Sequence, residues 1–156
     1  MHEKRIGIRW RDMDGYGHVN NAVYLTYLEE ARDEWLQAIL GPAGGADDYV
    51  VAHLSIDFRE ELRQSDDTIR VRSALERIGT SSLRTRETIL KRDGRIAAEA
   101  EVVLVMRDRA TLKSRPLAAA ERRALEQAME PPPRRRSSRR SSRTPRRARR
   151  SPRRRR

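Results

Sequence analysis

Apolar residues recur every three or four positions at Val23, Tyr27, Leu28, Ala31, Trp35, Leu36 and Ile39, and no other segment sustains a helical repeat so long. That spacing gives a helix of about 20 residues one broad apolar face, the other side carrying Glu29, Glu30, Asp33 and Glu34. Gly41 and Pro42 stop it.

The rest of the chain alternates with the period of a strand. Residues 5–11 place Ile6, Ile8 and Trp10 on one side and Gly7, Arg9 and Arg11 on the other, a short first strand. After a loop containing AGGADD, Val50, Ala52, Leu54, Ile56 and Phe58 alternate with Val51, His53, Ser55, Asp57 and Arg59. Ile69, Val71, Ser73 and Leu75 repeat the pattern, and another run covers residues 82–91. Asp93 and Gly94 supply a hairpin turn into a last strand with Ile96, Ala98, Ala100, Val102, Leu104 and Met106 on one face. LAAAERRALEQAM, residues 117–129, reads as a short C-terminal helix. Parallel neighbours need crossovers of a dozen or more residues, so strands joined by turns imply an antiparallel sheet. The expected class is α+β, with a five-stranded antiparallel sheet wrapped around one long helix.

Composition limits the chemistry. With no cysteine, the chain has no disulfide, thiolate ligand or cysteine nucleophile. No apolar run approaches the roughly 20 residues that cross a bilayer, and MHEKRIGIRW lacks the apolar segment of a signal peptide, so a cytoplasmic location is expected. The net charge of +12 is uneven: residues 131–156 hold 14 arginines and no acid, leaving 21 basic against 23 acidic side chains in residues 1–130. We therefore expect one domain over residues 1–130 and a disordered tail over 131–156, which has nothing to bury.

The segment DMDGYGHVNNAV, residues 12–23, puts polar groups where the long helix begins. Asp12, Asp14 and Gly17 fall at positions one, three and six of a calcium loop, but Tyr16 and Val23 stand where that loop needs an oxygen ligand and a bidentate glutamate. Three scattered histidines without a thiol do not make a zinc site. No metal or cofactor is expected. A helix start does, however, present unpaired N–H groups and partial positive charge, which suit a developing oxyanion. Asp14 beside it would attack a carbonyl or act as general base on water, with the amides around Asn20 and Asn21 receiving the oxyanion. Thiols ionise near pH 8 to 9 and leave with little proton assistance, so one carboxylate suits a thioester better than an amide. Simpler readings stand beside these: Asp14 as a turn former, Asn20 as a helix cap, and His18 as a packing residue.

Asp14-Gly-Tyr-Gly-His-Val-Asn-Asn-Ala-Val-Tyr24 followed by LEEARDEWL resembles the signature of the hotdog-fold acyl-CoA thioesterases of the 4-hydroxybenzoyl-CoA thioesterase-like superfamily. The similarity runs from about Ile6 to Met129 and includes IGTSSL at 78–83. The resemblance implies a hotdog fold and a homodimer or homotetramer, with the acyl chain bound between subunits and CoA along the interface. By position, Asp14 matches the catalytic carboxylate and residues 17–21 the oxyanion-forming helix start. His18 matches the histidine of the HVNN branch, which includes the plant acyl-ACP thioesterases; those carry asparagine where this chain has Tyr16. The catalytic candidates are Asp14, His18, Asn20 and Asn21. Gly17, Tyr24, Arg59, Ser81 and Ser82 are the candidates for contact with substrate or CoA, although the Tyr24 ring, like Tyr27 and Trp35, also has a packing reading.

The expected function is hydrolysis of acyl-CoA to a carboxylic acid and CoA. The alternative is a non-catalytic hotdog oligomer tethered to nucleic acid or another polyanion by its arginine tail, which would bind phosphates without sequence preference and in a salt-sensitive way. A hotdog dehydratase is a third reading, but its histidine-plus-carboxylate arrangement is not recognisable.

Overall fold

The computed structural model describes residues 2–41 and 48–129. The AGGADD loop, apart from Asp48, and the tail expected from residue 131 lie outside the described residues.

Strand β1 (His2–Gly7) leads through a 3₁₀ turn (Trp10–Asp12) into helix α1 (Asn21–Leu40). Strands β2 (Tyr49–Phe58), β3 (Thr68–Ile78), β4 (Ser82–Leu90) and β5 (Ile96–Met106) follow, then helix α2 (Ala119–Ala128). The five strands form one sheet in the order β1-β3-β4-β5-β2, antiparallel throughout. This is the α+β hotdog architecture, because β1 and β2 are the two edges and α1 lies in the connection between them.

The core lies between α1 and the inner sheet face. Tyr27, Leu28, Ala31, Leu36 and Leu40 from α1 are fully buried with Ile69 and Val71 of β3 and Val102, Leu104 and Met106 of β5. Two polar side chains enter it together. Arg32 of α1 and Glu87 of β4 are both buried, with Nε to Oε1 at 2.8 Å and a second nitrogen to Oε2 at 3.3 Å. Thr85 donates to the same Oε1 at 3.0 Å, so the carboxylate is partnered on both oxygens.

The first strand differs from its sequence reading. Alternation holds for Ile6 and Ile8, but the strand ends at Gly7 and Trp10 is 79% exposed. The cause is Asp12. Its Oδ2 accepts from the Arg9 backbone amide at 2.8 Å and from the buried Tyr27 hydroxyl at 2.7 Å, which winds residues 10–12 into the turn instead of extending them. Burial opposes the Asp12 charge, yet the Tyr27 and Arg9 hydrogen bonds outweigh it and hold the carboxyl below its ordinary value. The second strand also departs from simple alternation. A register shift between Val51 and His53 and its edge position leave Val50, Val51 and Phe58 exposed.

Candidate active site

Residues 12–20 form a small closed loop that delivers the chain to α1. The Asn20 amide donates to the Asp12 carbonyl at 2.9 Å, Met13 and Val19 form an antiparallel bridge, and the Asp14 amide donates to the His18 carbonyl at 2.7 Å. Gly17 makes the reversal with φ +79°, a region that side chains disfavour. The carboxylate of Asp14 closes the turn, its Oδ1 accepting from the amides of Tyr16 at 2.9 Å and His18 at 3.1 Å. These donors, His18 first, hold its pKa below the ordinary value, so the side chain is a carboxylate throughout the neutral range. No donor among the described residues engages Oδ2.

The helix start beside it is only partly satisfied. The Asn20 side chain caps α1 by accepting from the Ala22 amide at 2.9 Å, and the Val23 amide donates to the Asn20 carbonyl at 2.8 Å. No acceptor among the described residues engages the Asn21 amide. Asn21, at the positive end of a 20-residue helix, lines the same cleft as Asp14, so an N–H with no acceptor among the described residues belongs to a residue of that carboxylate's cleft.

That cleft, about 330 Å³, brings Asp14, His18, Asn21, Tyr24 and Arg59 together with Glu61. The Tyr24 hydroxyl is taken by the Leu62 amide at 2.8 Å, and its ring meets Phe58 edge to face at 5.1 Å. Val19 donates to the Leu62 carbonyl at 2.8 Å, so two contacts from the helix entrance pin the segment after β2. Arg59 sits at the rim, paired with Asp57 and Glu99. Gly17 lines a second cleft, which Asp14 also lines.

Ser81 and Ser82 are elsewhere. Ser82 pairs with Val105 near the end of β5, whereas Phe58 pairs with Ala98 near its start. At about 3.3 Å per residue the two serines are at the opposite end of the sheet from Asp14 within one protomer.

Sequence reasoning missed Glu61. Its Oε2 lies 2.8 Å from His18 Nε2, and Arg63 pairs with its other oxygen at 2.5 Å. Arg63 comes first among the influences that keep Glu61 ionised, and its Nη2 also lies 3.2 Å from His18 Nε2, so that one ring nitrogen meets both the carboxylate and the guanidinium. Nothing local in FREEL marks Glu61 out; only the Leu62 contacts bring it to His18. Among the described residues no group of three or more His, Cys, Asp or Glu is placed to hold a metal ion, and no helix is long and apolar enough to cross a membrane.

Comparison with known proteins carries the argument from geometry to family. The family model of the thioesterase-like superfamily matches residues 8–134. The chain belongs to that superfamily. This thioesterase is 30% identical over 132 residues to the long-chain acyl-CoA thioesterase FadM of Escherichia coli K12, covering 82% of this chain and 99% of FadM. Its fold matches a thioesterase from Thermus thermophilus, solved with coenzyme A and Zn, with TM-score 0.74, 31% identity and coverage of 81% and 92%. It also matches YbaW, a probable thioesterase from E. coli, with TM-score 0.72, 29% identity and coverage of 83% and 100%.

Proposed function

We propose that this thioesterase hydrolyses acyl-CoA, with Asp14 as nucleophile or general base and the start of α1 as the oxyanion hole. One juxtaposition carries the reading. Asp14 has one oxygen fixed by two backbone amides and the other free, in the same cleft as the unpaired Asn21 amide. Similarity to FadM supports the substrate class.

In the general-base form, Oδ2 takes a proton from water as its oxygen attacks the thioester carbonyl, and the Asn21 amide receives the developing negative charge. The C–S bond then breaks and the sulfur leaves as thiolate, to be protonated from solvent or by Asp14. In the nucleophilic form, Oδ2 bonds to the carbonyl carbon, thiolate leaves, and water cleaves the resulting anhydride. Turnover in ¹⁸O water separates them, because only the anhydride route places label in Asp14. His18, held by Glu61 through Nε2, lines the same cleft as Asp14, where its ring would steady the attacking water. The test of the function is a panel of acyl-CoA thioesters of increasing chain length. Hydrolysis of none of them would sink it.

The pH dependence has a definite sign. Asp14 must be ionised in either form, and its folded pKa lies below the ordinary 3.8. Activity that depends on its charge is therefore present above that value and lost as pH falls through the folded pKa. An acid limb of kcat/KM assigned to Asp14 is expected below 3.8; a limb above that value that persists when His18 is replaced by glutamine would contradict the assignment.

A second copy of the chain belongs to this reading. Strand β2 is an edge whose Val50, Val51 and Phe58 are 36%, 45% and 47% exposed, with one row of backbone groups unpaired. Antiparallel pairing of two such edges about a two-fold axis reverses the second sheet end for end. It would thus carry the partner subunit's Ser81 and the partner subunit's Ser82 to the end where Asp14 stands.

Residues 1–130 form the catalytic domain in this proposal, and the arginine tail is a separate polyanion-binding extension. Deleting residues 131–156 is expected to leave turnover within about twofold and to remove salt-sensitive retention on duplex DNA. Loss of most activity on truncation would overturn that division.

A further inference from the structure

Three arginines meet near the edge of the sheet opposite β2. Arg5 of β1 and Arg70 of β3 stand directly across from each other in the antiparallel ladder, and Arg92 lies in the turn from β4 to β5. The guanidinium of Arg70 reaches that turn, because a β-carbon at Gly94 would sit 3.9 Å from its Nη2. With Asp67 and Thr68 the three line a cleft of about 460 Å³. None of these five residues lines either cleft at Asp14. Strands β4 and β5 also stand between β3 and the β2 edge, a separation of roughly 14 Å at the usual strand spacing.

Like charges facing each other across a ladder oppose folding, and the acids nearby are committed elsewhere. Glu3 is 2.7 Å from Arg72 and only 3.6 Å from Arg70. Arg95 takes Asp93 at 2.8 Å and Glu60 at 2.6 Å, and Lys91 lies 3.4 Å from Asp66. Arg5 and Arg92 form no ion pair among the described residues. Asp67, which accepts from the Thr68 hydroxyl at 3.4 Å, is the single acid among the five lining residues, so three positive charges face one negative. A guanidinium presents paired N–H groups that match the oxygens of a phosphoryl group, and several guanidiniums together match adjacent phosphoryl groups. We infer that this cleft binds a small anion of the diphosphate class through Arg5, Arg70 and Arg92, apart from the thioester cleft. The bound anion offsets the repulsion between Arg5 and Arg70 and ties the β1 edge to the turn before β5. Free diphosphate and the diphosphate of a nucleotide share this chemistry.

Calorimetric titration of the full chain with pyrophosphate tests the site, comparing wild type with Arg5→Ala, Arg92→Ala and the double variant. Both side chains are exposed, so neither change removes core packing. The 14 arginines of residues 131–156 are the same in every variant, and the difference from wild type therefore reads the cleft alone. Each lost guanidinium is expected to weaken binding about tenfold, the low end for a hydrogen bond to a charged group. Pyrophosphate should also raise the melting temperature of the wild type by more than that of the double variant. Equal affinity in wild type and double variant overturns the site, and wild-type affinity for sulfate equal to that for pyrophosphate overturns the diphosphate assignment. ADP separates the sources: binding no tighter than pyrophosphate supports a free diphosphate, and tighter binding that is lost in the same variants supports a nucleotide. The KM for acyl-CoA should stay within about twofold in both single variants, since the cleft is not a place where substrate binding is made. A rise in KM that accompanies the loss of pyrophosphate binding would put the cleft in the substrate's path and overturn its separateness. If the wild type cleaves no thioester, the thioesterase reading fails while the titration still decides the anion site.

Discussion

Replacing Asp14 by asparagine is expected to lower kcat for acyl-CoA hydrolysis by about 10² to 10⁴-fold, the range for loss of a positioned base or nucleophile. The substitution isolates the chemistry from the fold. An asparagine oxygen can still accept from the amides of Tyr16 and His18, so the loop keeps its shape, and the side chain is partly exposed, so no core packing is lost. What disappears is the ability of the second oxygen to take a proton or to attack a carbonyl. An unchanged melting temperature should accompany the loss. A decrease of less than about tenfold in a folded variant would remove Asp14 from the mechanism, because one lost factor of ten is within what altered positioning alone produces.

Replacing Arg32 by methionine is expected to destabilise the protein by about 3 to 5 kcal/mol, the cost of leaving a buried charge without its partner. Glu87 has no exposed surface, and with the guanidinium gone its carboxylate would keep only the Thr85 hydroxyl. Native domains are stable by about 5 to 15 kcal/mol, so the loss is a large share of the whole. The double variant Arg32→Met with Glu87→Leu should recover most of it, since a buried pair exchanged for apolar side chains is often neutral. Urea unfolding of the two variants measures both effects. A single variant within about 1 kcal/mol of wild type, or a double variant no better than the single, would show that the pair is not the isolated buried contact described.

Much of the architecture is legible in the residue periods, and the failures have physical causes. The 23–39 repeat marks α1, which runs from Asn21 to Leu40, and the alternation of Ile69, Val71, Ser73 and Leu75 marks a face of β3 that is buried as expected. Periodicity fails at Trp10, because one carboxylate two residues later captures the Arg9 amide and outweighs the alternation. It fails also at Arg32, where a cation lies on the apolar face. Only the neighbouring strand reveals the carboxylate that makes its burial tolerable.

The candidate site divides the same way. DMDGYGHVNN places a carboxylate, a left-handed glycine and a helix cap in one short segment, and local hydrogen bonds suffice to build that loop, so the sequence by itself determined the helix, the strands, the family signature and Asp14 as the residue to test. Tertiary structure decided which groups remain available. Asn20 spends its side chain on Ala22 while the Asn21 amide is left free, and Glu61 reaches His18 across a gap of 43 positions through contacts made by Leu62. It also decided that β2 ends at an open edge and that Ser81 and Ser82 stand at the wrong end of their own sheet. A local pattern records period and capping because those act within a turn or two of the chain. Pairing across the sheet and occupancy of a donor depend on segments that meet only after folding.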